Sequence, residues 1–251
     1  MNERDWDEVA ATFEEDIFSV HANDRLGLIA ERVRRFGAKD RAAADLGCGI
    51  GRMLPLLAEC FGEVYAMDIS SECLAVAERK NEQIRNIHYQ HADLSGSLES
   101  LAPVDLALCI NVLLTASLSK RQAMLSNACG RIKPEGHLLL TTPSLESALY
   151  ASHRLVQWNI EKGMSPSSAQ QRSSRDASRL DMGIVMIDGV PTKHYLKEEL
   201  EDVLRDEGMR VEEILKIEYP WSAVFPEAPE WMQDPLPWNW MVVAQRGGAG
   251  A

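Results

Sequence analysis

Ala42-Ala43-Ala44-Asp45-Leu46-Gly47-Cys48-Gly49-Ile50-Gly51 reads as an apolar strand running into a glycine-rich turn. Met53, Leu54, Leu56, Leu57 and Ala58 follow at amphipathic spacing, so the order is strand, tight turn, helix. Glycines let such a turn take φ > 0 and let a ligand approach without meeting a Cβ. The first turn of the next helix offers unpaired N–H groups to a polar or anionic ligand. Seventeen residues beyond Gly51, Asp68 ends a second strand-like run, Val64-Tyr65-Ala66-Met67. An acidic side chain there suits the two hydroxyls of a ribose.

Outward from this segment, strands and helices alternate. Strands are expected at 42–46, 63–67, 87–90, 104–110 and 137–142, and helices near 51–60, 71–83, 119–132 and 196–207. Val104 to Ile110 and Leu138 to Thr141 are nearly continuous apolar runs, as in parallel strands covered on both faces. Right-handed crossovers then give an α/β, doubly wound, mostly parallel sheet, with ligands bound beyond the C-terminal strand ends. The turn at 47–51, Asp68, Asp93 and Asn111 all fall at such ends.

The flanks read differently. Residues 3 to 20 carry Trp6, Val9, Ala10, Phe13, Ile17 and Phe18 at helical spacing. Asp24 suits the cap of a second helix that ends near Gly37. After the fifth strand comes a helix over 148–162, then a Ser-rich segment, 165–178. A hairpin over 183–195 follows, turned at Asp188-Gly189. Strands are expected at 211–217 and 240–244. Their connection is rich in proline and holds Trp221, Trp231 and Trp238, which favour an ordered path.

Composition narrows the partners. The chain has 251 residues, 45% hydrophobic and 25% charged, with a net charge of −12. That acidity argues against a broad nucleic-acid surface, which leans on Lys and Arg. No apolar run reaches the ~18 residues of a membrane span. The polar start, Met1-Asn2-Glu3-Arg4-Asp5, is not a secretory signal. Single cysteines at 48, 60, 73, 109 and 129 read as reduced thiols, and the expected location is cytoplasmic. Cys48 suits a small apolar filler in the turn. His88 and His91 lie on a strand without one shared face, and no His-Glu-x-x-His occurs, so no metal site is expected.

Asp45 before the first glycine, the Gly-x-Gly-x-Gly spacing, Asp68 and His91-Ala92-Asp93-Leu94 together resemble the class I S-adenosylmethionine-dependent methyltransferases of small-molecule type. The resemblance covers roughly residues 40–145. It implies a seven-stranded Rossmann-like sheet with an antiparallel last strand, an N-terminal helical lid and an insertion after strand 5. In one domain, 1–37 would be the lid, 38–143 the cofactor core, 144–195 a substrate cap, 196–246 the last helix and edge strands, and 247–251 a frayed tail. The cofactor would be S-adenosyl-L-methionine, with S-adenosyl-L-homocysteine as product.

By that resemblance Asp45, Gly47 and Gly49 border the methionine moiety, with Asp45 near its ammonium, and Cys48 and Gly51 belong to the same cofactor-binding turn. Asp68 accepts the ribose hydroxyls and Ile69 packs on the adenine. Asp93 and the N–H of Leu94 meet the adenine edge, and Asn111 approaches the methionine or the acceptor. Trp6, Phe13 and Tyr195 would wall the acceptor pocket, and His194 and Tyr195 are the catalytic candidates. The implied reaction is in-line methyl transfer to O or N of a small molecule. A non-catalytic S-adenosylmethionine-binding regulator is the alternative. An NAD(P)-dependent dehydrogenase is a further one, disfavoured by the glycine spacing and by Asp93. Oligomeric state is left open.

Overall fold

Strand β1 (Ala42–Leu46) is buried along nearly its whole length and lies inside the sheet. It pairs in parallel with β2 (Glu63–Asp68) on one side and β4 (Val104–Ile110) on the other. In this computed structural model, residues 3–173, 181–187 and 189–248 are described. β3 (Ile87–His91) extends the sheet beyond β2, and β5 (Ile132–Pro143) extends it beyond β4. β8 (Met209–Glu218) and β9 (Trp238–Arg246) complete the order β3-β2-β1-β4-β5-β9-β8. β9 runs antiparallel to both β5 and β8. A separate hairpin joins β6 (Ile184–Ile187) and β7 (Val190–Lys193). Its expected turn residue Asp188 lies outside the described residues, as do 174–178 of the Ser-rich segment.

Alternate residues of each strand feed two cores. Ala44, Leu46, Leu138 and Leu140 join Leu125 of α7 (Leu118–Gly130) and Leu200 and Leu204 of α10 (Lys197–Asp206). Ala43, Leu106, Leu108 and Leu139 face α4 (Leu28–Phe36) and α5 (Leu54–Cys60) through Ile29, Val33, Leu54 and Leu57. Each buried Leu or Val contributes about 1.5–3 kcal/mol relative to exposure. The two sheet faces therefore hold the strand ends in a fixed row. α6 (Ser71–Lys80) returns the chain from β2 to β3, capped by the Ser70 hydroxyl, which accepts from the Cys73 N–H at 3.0 Å.

The N-terminal stretch is not one helix. It forms α1 (Glu3–Val9), α2 (Phe13–Asp16) and α3 (Val20–Asn23). Ile17 takes an extended conformation that ends α2, and the Ser19 hydroxyl starts α3 by accepting from the Ala22 N–H. Asp24 caps α4 as its composition suggested, its two oxygens accepting from Leu28 and Ile29 N–H at 2.9 and 2.7 Å. α8 (Leu145–Glu161) starts earlier than expected because Ser144 caps it. Part of the Ser-rich segment is helical as α9 (Pro166–Ser173), with Ala169 buried. The proline-rich connection between β8 and β9 is ordered around buried Trp221, whose indole N–H donates to the Gln233 carbonyl at 3.0 Å. Among the described residues, no helix is long and apolar enough to cross a membrane.

Gly51 belongs to this scaffold. A Cβ there would stand 2.9 Å from Ala77 Cβ, Asn81 Nδ2 and Leu54 Cδ1, and its φ is +80°. Gly51→Ala is expected to destabilise the fold by about 2–4 kcal/mol, from left-handed strain plus overpacking. Urea denaturation measures this, and an unchanged midpoint would contradict the packing assignment.

Candidate functional site

β1, β2, β3 and β4 end along one edge, and a cavity of about 340 Å³ opens there. Asp45, Gly47, Cys48, Gly49, Asp68, Ile69, Asp93, Leu94 and Asn111 line it, with Trp6 and Phe13 from the N-terminal helices. The turn is fixed by backbone bonds. Gly47 and Cys48 N–H both donate to the Met67 carbonyl, at 2.7 and 2.9 Å. Asp68 then holds the turn to the next strand end, accepting from Gly49 N–H at 2.7 Å and Ser70 N–H at 2.9 Å. Gly47 and Gly49 have φ of +79° and +52°, where L side chains are strained. A Cβ on Gly47 would lie 2.5 Å from Val112, and one on Gly49 2.8 Å from the Phe13 ring.

Two carboxylates dominate the electrostatics. Asp45 is 3% exposed, and its carboxylate accepts no hydrogen bond from the described residues. Burial, followed by the nearby Asp68 charge, pushes it up to about 7. Burial also raises Asp68, while N–H groups of Ser70, Gly49 and Ile69 pull it back. A buried carboxylate without a partner calls for a cation or a strong donor. The arrangement thus suits a ligand that brings positive charge to β1 and hydroxyls to β2.

At the far end Asp93 accepts from Ser95 N–H at 2.8 Å and Ser95 Oγ at 2.7 Å, and pairs with Lys120 at 3.2 Å. Burial pushes its carboxyl up, but the Ser95 and Lys120 contacts outweigh this and leave it lowered. Asn111 takes φ +53° just past β4, and its Oδ1 accepts from Asn239 Nδ2 at 3.3 Å. Burial raises the Cys48 thiol well above its usual range, as suits a filler rather than a nucleophile.

The N-terminal helices roof the turn. Asp7 Oδ1 accepts from Ser70 Oγ at 2.6 Å and Glu72 N–H at 3.3 Å, and Glu14 pairs with Lys80. His91 bridges the Ile69 carbonyl at 2.8 Å and Glu3 at 3.1 Å. These ties set Phe13 over Gly49, with Trp6 6.3 Å from the Phe13 ring and Arg52 5.5 Å from it.

Three expected site residues stand elsewhere. Gly51 packs against α6 and does not line the cavity. Tyr195 is 4% exposed and its hydroxyl donates to the Leu113 carbonyl at 3.0 Å, so the phenol is held in the core. His194 is buried beside it, its N–H donating to Gly183 O at 2.8 Å and Nδ1 lying 3.1 Å from Thr192 O. Neither lines the cavity. The insertion reaches the cavity instead through Val190, Pro191 and Thr192 of β7. Lys193 fastens that hairpin. Its N–H donates to Leu114 O at 2.8 Å and its ammonium to Met182 O at 2.6 Å and Glu199 at 2.7 Å. His21, Arg52 and Lys120 also line the cavity without having been singled out in the sequence. Arg52 directly follows Gly51, a position that could have flagged it; His21 carried no such signal.

Residues 43–136 match the methyltransferase domain family. A ubiquinone biosynthesis O-methyltransferase of Coxiella burnetii is 30% identical over 105 residues, covering 41% of this chain and 44% of that relative. The chain thus spans less than half the length of that curated relative. A dTDP-3-amino-3,6-dideoxy-alpha-D-glucopyranose N,N-dimethyltransferase of Streptomyces fradiae is 26% identical over 156 residues, covering 61% and 60%. The N-methyltransferase NodS of Bradyrhizobium japonicum WM9, solved with S-adenosyl-L-homocysteine, shares the fold at TM-score 0.61 and 11% identity, with 97% of each chain covered. Residues 43–136 are thus similar to a methyltransferase domain, and the chain shares its fold with methyltransferases solved with S-adenosyl-L-homocysteine bound.

Asp45 binds a proton near pH 7 when folded and near 4 when unfolded, so its contribution to stability falls as pH rises between about 4 and 7. Asp45→Asn is expected to raise the ligand-free melting temperature at pH 8, with the gain fading toward pH 5. Thermal melts across that range check it, and a pH-independent difference would contradict it. Tyr195→Phe is expected to cost about 1–3 kcal/mol by stranding the Leu113 carbonyl. Its ligand affinity should be unchanged by calorimetry.

Proposed function

We propose that this protein transfers a methyl group from S-adenosylmethionine to an oxygen or nitrogen of a small-molecule acceptor. The observation that carries the reading is Asp45, a buried carboxylate with no partner among the described residues, facing a glycine-lined cavity. In this reading Asp45 holds the cofactor's ammonium. Gly47 and Gly49 bring the backbone against the methionine chain, Asp68 receives the ribose hydroxyls and Ile69 covers the adenine. The free lone pairs of Asp93 and the Leu94 N–H meet the adenine edge. Asn111 orients the methionine or the acceptor. The bound cofactor supplies an electrophilic methyl on a sulfonium whose leaving group is a neutral thioether.

The chain's own work is alignment and exclusion of water. Holding the partners in line can remove roughly 7–11 kcal/mol of barrier in the best cases. The roof of Trp6 and Phe13 suits a closed, dry site. A cavity of about 340 Å³ beneath that roof favours a small acceptor over a polymer. One relative named for O-methylation and one for N-methylation support the choice of heteroatom, both through partial alignments.

Calorimetry with S-adenosylhomocysteine tests the reading, with NAD as the control. The wild type should bind the former and not the latter. Asp68→Ala should remain folded and lose about 1.5–3 kcal/mol of affinity, a factor of ~10 to ~150 in Kd. Binding of NAD in its place, or equal S-adenosylhomocysteine affinity in the variant, would sink the assignment.

A further inference from the structure

Topology gives the cavity a direction. Asp68 and Asp93 mark the end beside β2 and β3, whereas the strand ends of β4, β5, β9 and β8 lie the other way. At that second end α3 rests on β8, and Phe18 meets Tyr219 edge-on at 4.8 Å. Val20 is 2% exposed and joins the core, while the next residue, His21, lines the cavity.

The backbone carrying His21 is fixed on both sides. Ser19 Oγ accepts from Ala22 N–H at 3.2 Å, Asn23 Nδ2 donates to Ser19 O at 2.8 Å, and Asp24 is spent on the start of α4. The His21 ring has no hydrogen-bond or ion-pair partner among the described residues. The residue is exposed at the cavity wall, with both ring nitrogens open to a ligand.

The other titratable groups of the cavity are unsuited to taking a proton from an acceptor. Asp45, Asp68 and Asp93 fall to the cofactor in the reading above. Cys48 and Cys73 are thiols raised by burial. Arg52 stacks over the Phe13 ring and Lys120 is paired with Asp93, and both side chains are hydrogen-bond donors rather than acceptors. On β8, Lys216 lies over the Trp238 ring at 3.6 Å, and Glu213 is paired with Arg32 and Arg35. The His21 ring, in contrast, offers a nitrogen lone pair that can accept a proton.

We propose that His21 is the catalytic base of the transfer. This rests on the methyltransferase reading of the site. The acceptor's O–H or N–H gives its proton to the free imidazole nitrogen while its heteroatom bonds to the methyl carbon. The carbon–sulfur pair stays on sulfur as the thioether forms, and the imidazolium then releases its proton to water. The same role makes His21 selective for acceptors whose heteroatom carries a proton, such as phenols and ammonium-derived amines.

The test needs no acceptor. The protein is labelled at its histidine rings, and the His21 resonance is assigned by its loss in His21→Gln. It is titrated by NMR in the presence of saturating S-adenosylhomocysteine, then of saturating S-adenosylmethionine. The two ligands differ by one methyl and one positive charge at sulfur. A base placed at the methyl should titrate about 0.5–1 pH unit lower in the S-adenosylmethionine complex. His21→Gln should leave S-adenosylhomocysteine affinity within about threefold, since its role lies beyond the cofactor. Identical His21 titration in both complexes, or a large loss of affinity in the variant, overturns the proposal. If neither ligand binds the wild type, the methyltransferase reading fails first, and calorimetry shows that separately.

Discussion

A carboxyl group buried without a hydrogen-bond partner among the described residues governs this structure. Asp45 is the penultimate residue of β1, an interior strand whose neighbours and covering layers are apolar there. Asp68 ends the next strand and adds like charge. The sheet cannot move these groups apart, because the pairing Asp45↔Ala66 and Leu46↔Met67 fixes the two strand ends in register. The glycine turn, the roof over it and the row of polar strand ends can all be understood as accommodation of that charge. A ligand carrying positive charge would relieve it, which ties the fold's least comfortable feature to its function.

Much of this was legible in the sequence because it depends on local order. β1, its turn and Asp68 form a short-range pattern, and the β4 run matched the structure residue for residue. What sequence could not resolve is direction. Three glycines share one motif, yet Gly47 and Gly49 face the cavity while Gly51 faces a helix. Tyr195 stands where a pocket wall was expected, but its hydroxyl finds a backbone carbonyl 82 positions earlier. Long-range satisfaction of that kind leaves no local signature. His21 was hidden by a different effect. The apolar spacing of residues 3–20 suggests one helix, and the breaks at Ile17 and Ser19 rest on single-residue preferences that spacing does not report.

The second half of the chain is a support built from aromatic side chains. Trp221, Phe225, Tyr150 and Trp158 pack around Ala151 and Met232, so the long connection between β8 and β9 rests on α8. Trp238 N–H donates to Ser147 Oγ at 2.8 Å, and the Trp240 indole donates to Glu146 at 3.1 Å. Glu146 also accepts from Lys197 N–H at 3.1 Å, joining α8 to α10. Since β7 is fastened to α10 through Lys193 and Glu199, the wall it presents to the cavity inherits the rigidity of the sheet.

Asp24 sets how the roof can behave mechanically. By gripping two N–H groups at the start of α4, it makes α3 part of the same solid piece as the core. Everything upstream is held by side-chain ties to α6 and the strand ends, through Asp7, Glu14 and Glu3. The glycine turn is therefore roofed by two separately anchored pieces that meet at Ile17, the extended residue between α2 and α3. Trp6 and Phe13 belong to the piece tied to α6 and the strand ends, whereas His21 belongs to the piece tied to α4. The two walls of the cavity thus rest on different supports.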